Sequence, residues 1–351
     1  MLICTGYYSA RQWLAEITCP IQKSFIRETR TLDFTGDIRA ERLRSSIRLA
    51  PGVDEYRVLL GKYYVYQASR ARCSKDKRHL LKQAGDEYAQ ALLLNPSYTE
   101  VLAYLAWVDC SSGRPFEGIG RLERAIQLDP HNYFNHLFYG ICIANFIRTL
   151  PSGLTEMYCY RAEEEFRRGL DLHPGMAGQP AVRTGRARLY LEKGDREAAI
   201  AQLEGIRVVD AATLPCHLMR ADLYLQAGNE KKAIGRYMDL WQNPDLSREE
   251  KEMIIDSLSN HAGDYPDNGE LKFLLGRIYV EQGDYDKARG VLHEVVSVEP
   301  GNAEAHYLLG RVYEYTGDRQ AAYEAYERTL HYNPRHPDAS QGIIRLYKEM
   351  D

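Results

Sequence analysis

The apolar and small positions of this chain fall on a grid that returns at a fixed interval. From Gly269 to Pro300 the sequence reads GELKFLLGRIYVEQGDYDKARGVLHEVVSVEP; from Ala303 to Pro334 it reads AEAHYLLGRVYEYTGDRQAAYEAYERTLHYNP. The two align without a gap at a period of 34 residues. Leu275 and Tyr279, and likewise Leu309 and Tyr313, predict the apolar seam of a first helix. Gly276 and Gly310 sit within that helix, where glycine costs about 1 kcal/mol against alanine. Their recurrence predicts a close approach of a second helix, with Ala288 and Ala322 as its small facing residues. Gly283-Asp284 and Gly317-Asp318 predict the turn, Gly ending one helix and Asp capping the next. Pro300 and Pro334 stop the second helix. A period of this length predicts stacked helical hairpins.

The grid runs backwards through the chain. Leu189-Tyr190, Gly194-Asp195, Ala199 and Leu203 mark one hairpin; Ala221, Tyr224, Gly228-Asn229, Ala233 and Tyr237 mark the next. Leu105-Ala106, Gly113, Leu122, Ala125 and Pro130 mark another, with Gly118 in place of the usual Ala. Two hairpins carry inserts: Leu60-Gly61 with Tyr64, closed by Ala84, Tyr88, Ala91 and Pro96, and Tyr139-Gly140, closed by Ala162, Phe166 and Pro174. A degenerate unit is expected over residues 1–52, with its second helix near Ile38 to Leu49 and a stop at Pro51. These features resemble the tetratricopeptide repeat, in the style of bacterial repeat proteins such as those with ALLLNP, LDLHPG and SVEPGN at helix ends. The expected fold is all-α, a right-handed superhelical solenoid closed by a capping helix over 337–351. Its expected segments are 1–52, three repeats over 53–174, two over 180–242, an extra helix or joint over 243–268, and two repeats over 269–336.

Three departures break the regularity. One insert, about Val65 to His79, is basic: Arg70, Arg72, Lys75, Lys77 and Arg78, with Lys82 just beyond. The other, about Ala144 to Tyr158, is apolar and turn-rich, with Phe146, Ile147, Leu150, Leu154 and Met157. Both fall between the two helices of their hairpins, so they share an edge, as lengthened hairpins or as a paired protrusion that contacts a partner. The third departure is DLSREEKEMIIDSLSNHAG, one amphipathic helix with Ser247 as cap and Glu249-Glu250 in its first turn.

Composition changes little. The chain has 351 residues and a formal net charge of −4, which does not support general nucleic-acid binding. Many of the 26 Tyr are used in the repeat seams. Seven Cys occur with no CxxC pair, and neither Cys nor His clusters at zinc-ligand spacing, so no metal or cofactor is expected. The thiols fit helical seams and favour a reducing compartment, which sets a cytoplasmic expectation; a periplasmic or membrane-associated place is the alternative. No apolar stretch is long enough to span a membrane. The opening MLICTGYYSARQWLAEI reads as the first helix of the degenerate unit, broken near Pro20, or as the edge of a truncated membrane anchor. No phosphate loop, GxSxG elbow or HExxH motif is present, and Glu163-Glu164-Glu165 reads as a solvated face, so no enzyme activity is expected.

The resemblance implies a binding surface instead. In the repeat family the first helices line the concave face. At the matching places stand Val58, Lys62, Ala103, Trp107, Leu137 and Ile141, then Thr184, Arg188, Leu218, Asp222, Phe273, Arg277, Tyr307 and Arg311. This implies a groove that is apolar at one end and rich in Arg and aromatic residues at the other. The expected partner-binding set is Phe273, Arg277, Tyr307, Arg311, Arg188, Trp107 and Lys62. The competing expectation is that the arginines pair internally, with Glu281 and Glu314 among the candidates. The Lys-Asn set by which chaperone-binding members hold a terminal carboxylate is absent. The leading expectation is a non-catalytic scaffold for a protein or peptide partner. A second is a soluble tail of a membrane-linked polysaccharide assembly, since YYSARQWLAE before repeats is similar to the segment after the last membrane helix in some O-antigen polymerase and ligase relatives.

Overall fold

In the computed structural model, residues 36–348 are described, apart from 72 and 211–212; the first helix expected near the N-terminus lies outside them. Among the described residues the chain is all-α, with 17 α-helices, two short 3-10 turns and no strand. Helix α1 (Gly36–Leu49) precedes four hairpins: α2 (Asp54–Arg70) with α3 (Ser74–Leu94), α4 (Thr99–Ser111) with α5 (Pro115–Leu128), α6 (Tyr133–Phe146) with α7 (Ser152–Leu172), and α8 (Pro180–Glu192) with α9 (Arg196–Glu204). Then come α10 (Leu214–Gln226) and α11 (Glu230–Trp241), the extra helix α12 (Arg248–Asp264), α13 (Gly269–Gln282) with α14 (Tyr285–Val298), α15 (Ala303–Thr316) with α16 (Arg319–Tyr332), and α17 (Pro337–Lys348). The chain forms two compact units, and the division falls within α10, between His217 and Leu218.

The turn chemistry explains the hairpins. Gly113, Gly194, Gly228, Gly283 and Gly317 all have φ between 71° and 84°, the left-handed region where a Cβ is costly. Asp195 and Asp318 then cap the following helices by accepting from the amides of Ala198 and Ala321. Asp284 makes no such cap; it pairs with Lys287 instead. The mid-helix glycines also admit a different neighbour from the one expected. A Cβ on Gly310 would lie 2.5 Å from the Tyr326 ring, and one on Gly276 would lie 2.7 Å from Leu292. The large side chain four residues beyond Ala288 and Ala322 therefore fills the space, not the alanines themselves. At Gly118 the approach is to backbone as well: a Cβ there would meet Cys110 Sγ at 2.5 Å and the Ala106 carbonyl at 2.6 Å.

Within the first unit, α3 packs on α4, α6 on both α4 and α5, and α8 on α6 and α7. One continuous core runs from Leu60 and Tyr88 through Leu105, Leu137 and Phe166 to Leu189. Two hairpins are fastened at their entry to the loop that precedes them. His136 Nε2 donates to the carbonyl of Pro130 at 2.9 Å, and His306, five repeat lengths later, does the same to Pro300. His136 is also 2.5 Å from the Glu165 carboxylate through Nδ1, and both side chains are buried. The two inserts are absorbed as extra helical turns, since α3 and α7 each have 21 residues against 14 in α5.

In the second unit α12 breaks the two-helix rhythm. Its capping box between Ser247 and Glu250 forms, and Ile254, Ile255, Leu258 and Ala262 are buried. It packs on α11 and α13, while α11 also touches α13 directly. Beyond the hairpin of α15 and α16, helix α17 buries Ala339 and Leu346 and leaves Ile344 and Tyr347 exposed.

Candidate partner-binding face

Helices α13 and α15 are the first helices of successive hairpins and touch one another. Phe273 and Arg277 on α13 stand one repeat before Tyr307 and Arg311 on α15, and all four are half-buried. Their surroundings differ. Arg277 Nε lies 3.6 Å from Glu281 Oε1, one turn along the same helix. The other oxygen of Glu281 accepts the Trp241 indole N–H at 2.6 Å, and the Lys251 ammonium sits 5.3 Å over the Trp241 ring.

Arg311 follows a different course. Glu314, the expected partner, is engaged by Arg345, whose Nε and Nη2 donate to its two oxygens at 2.9 and 3.1 Å. The Tyr326 hydroxyl also donates to Glu314. The Arg345 hydrogen bond, followed by that of Tyr326, outweighs burial and lowers the Glu314 carboxyl below its ordinary range. The Arg311 guanidinium instead lies 5.7 Å from the Tyr315 ring, which stacks on Tyr285 at 5.0 Å and 9°. Burial pulls Arg311 down, but hydrogen bonding to Tyr315 and the neighbouring phenols leave it raised. The Tyr307 ring packs 4.5 Å from His336 and 5.9 Å from Tyr326.

At the other expected end the picture changes. Val58, Ala103, Leu137 and Ile141 are buried, so the apolar residues expected on that surface belong to the core; Thr184, expected in the other half, is buried as well. The Thr184 hydroxyl is 3.0 Å from the Cys216 thiol. Lys62 places its ammonium 4.7 Å over the Tyr104 ring, Trp107 packs half-buried against the core, and Arg188 is half-buried beside Cys216. The thiols of Cys110, Cys142 and Cys216 are all pushed up by burial, that of Cys110 to about 12.

Sequence reading missed one network. His261 Nε2 meets Asp222 at 3.0 Å, and its Nδ1 meets the Tyr237 hydroxyl at 2.7 Å. That hydroxyl is also 2.9 Å from the Ser257 hydroxyl. Burial pushes the Tyr237 phenol up to about 12, and the His261 hydrogen bond lowers the Asp222 carboxyl. An acid–imidazole–hydroxyl chain is the geometry of proton relay, yet here its Tyr is fully buried. Its place is structural: it ties α12 to α10 and α11. The scattered spacing of these four residues offers no sequence signal. The second unit also has an open cavity of about 520 Å³ whose lining includes Glu230, Asp264, Asp267, Glu270 and Glu299. Among the described residues no cluster of His, Cys, Asp or Glu is arranged to hold a metal. Nor is any helix there long and apolar enough to cross a membrane.

Two family models of the tetratricopeptide repeat match the chain, over residues 256–313 and 303–336. Residues 256–336 are tetratricopeptide repeats. No curated protein matches its sequence. Among solved structures, a human IFIT1 dimer with m7Gppp-AAAA is 16% identical, with a TM-score of 0.51 over 92% of this chain and 77% of that one. TTC0263, a tetratricopeptide-repeat protein of Thermus thermophilus, is also 16% identical, with a TM-score of 0.47 over 59% of this chain and 100% of its own. The pilus biogenesis factor PilW is 18% identical, with a TM-score of 0.47 over 70% and 97%. At such identities the likeness concerns the fold of the tetratricopeptide repeats and nothing more.

Proposed function

We propose that this chain is a non-catalytic scaffold that holds a protein or peptide segment against the first-helix face of α13 and α15. The observation that carries this reading is the diversion of Glu314 to Arg345 and Tyr326. It leaves Arg311 raised on a tyrosine shelf with no carboxylate in ion-pair contact among the described residues. Arginine offers a planar fork to carboxylates and stacks on rings. Phe273 and Tyr307 add aromatic contact area of the kind favoured at interface anchors. The ligand of best fit is therefore a segment bearing a carboxylate beside an aromatic or apolar side chain. Arg277, already shared with Glu281, contributes less than Arg311.

Affinity capture with the full chain, followed by mass spectrometry, supplies the partner; titration calorimetry then compares wild type with Arg277→Ala/Arg311→Ala. The double variant is expected to bind at least tenfold more weakly, with circular dichroism and melting temperature nearly unchanged. Equal affinity in the two proteins overturns the assignment.

A further inference from the structure

The first seven residues of α3 have no counterpart in α5. At 1.5 Å per residue they extend that helix by about 10 Å beyond the regular hairpin. Lys75, Lys77, Arg78 and Lys82 lie on or beside this extension, and all four are exposed. None makes an ion pair among the described residues, whereas the exposed Arg161 and Arg148 of the same unit pair with Glu123 and Glu192. Lys75 and Lys77 stand in the first turn, at the positive end of the helix dipole, where positive side chains are unfavourable and anions are stabilised. Asp76 is the one acid in that first turn.

Register then brings in the next two hairpins. Ala84, Gly118 and Ala162 hold equivalent places on α3, α5 and α7. Two residues before each stand Lys82, Phe116 and Tyr160; Lys82 is exposed, and the two rings are 50% and 70% exposed. A lane across three successive second helices therefore starts with cations and continues with two open rings. The carboxylates of Glu117 and Glu156 flank the aromatic end and are exposed. Glu117 is shared with Arg114 at 3.2 Å, whereas Glu156 makes no ion pair among the described residues and would repel the phosphates of a nucleic acid or a membrane along that half of the lane. We propose that this edge, distinct from the first-helix face, docks an acidic segment of a partner protein: its carboxylates meet the α3 cations and an adjoining apolar residue meets Phe116 and Tyr160.

The test uses fluorescence anisotropy with the full chain and a fluorescein-labelled peptide of six Glu followed by Leu-Phe-Leu. The wild type is expected to bind, and more weakly as salt rises. Lys75→Glu/Lys77→Glu/Arg78→Glu/Lys82→Glu should lose at least tenfold in affinity, and the milder all-Gln set several-fold. Phe116→Ser/Tyr160→Ser should also lose several-fold. Each edge set is compared in an Arg277→Ala/Arg311→Ala background, which removes the first-helix face as a second site for this carboxylate- and aromatic-bearing peptide. Circular dichroism confirms that each variant is folded. The proposal is overturned if the Arg277→Ala/Arg311→Ala background does not bind the peptide, or if neither edge set weakens binding in that background. It is equally overturned if a single-stranded RNA of equal charge or phosphatidylserine vesicles bind this edge more tightly than the peptide.

Discussion

At the scale of single residues, the chain is most sensitive where a side chain is missing. Alanine at Gly310 would drive a Cβ to 2.5 Å from Tyr326, so Gly310→Ala should cost about 1–3 kcal/mol by overpacking, despite alanine's better helix propensity. Chemical denaturation monitored by circular dichroism reads this directly; an unchanged or higher midpoint contradicts the packing described. The His136–Glu165 pair gives a pH signature. The Glu165 hydrogen bond, opposed by burial, raises the His136 imidazole. A histidine raised on folding stabilises fully below its unfolded value of about 6.5 and loses that contribution as pH climbs through the folded value. Wild type should therefore exceed Glu165→Gln in melting temperature most at mildly acid pH, with the gap narrowing above neutrality. A gap that widens with pH would contradict the assignment. The glycines and prolines of the repeat were legible in the sequence because each has one backbone or packing consequence. The fate of Glu314 was not, because Arg311 lies closer to it along the chain than Arg345 does, and only the packing of α17 brings Arg345 to the carboxylate.

At the scale of elements, α12 was legible as a helix and illegible as a neighbour. Ser247 and Glu250 announce its start locally, whereas its anchorage depends on Asp222 and Tyr237, which approach it only in the folded chain. Ser247→Ala should cost about 1 kcal/mol, the ordinary worth of an N-cap. His261→Ala should leave α12 helical but raise amide hydrogen exchange across 248–264, because it releases both Asp222 and the buried Tyr237 hydroxyl. If exchange rises no more there than in α15, the network does not hold the helix. The inserts teach a related lesson. Their basic and turn-rich composition left lengthened hairpins and a paired protrusion open, but most of their residues simply prolong α2, α3 and α7. The apolar residues Ile147 and Leu150 are buried under that extension rather than displayed.

At the scale of the whole molecule, each hairpin gains its stability from the hairpins beside it. A destabilising change should then stay local: Gly310→Ala should accelerate hydrogen exchange over 269–348 and leave 54–174 close to wild type. Uniform acceleration along the chain would point to one global cooperative unit instead. The 34-residue rhythm makes the hairpin stack legible from the sequence alone, because the same small, aromatic and turn residues return at every step. The surface was legible only in part, because positions equivalent in a repeat need not be equivalent in exposure. Val58, Ala103, Leu137 and Ile141 sit at places the family uses for binding, and they are core here. The same rhythm gives α17 a consequence for engineering. In register, Ile344 occupies the place of Gly276 and Gly310, the openings through which the hairpins of α13 and α15 admit their second helices. A designer who wished to graft another repeat onto this scaffold would meet a closed door at residue 344, and the first edit would be Ile344→Gly.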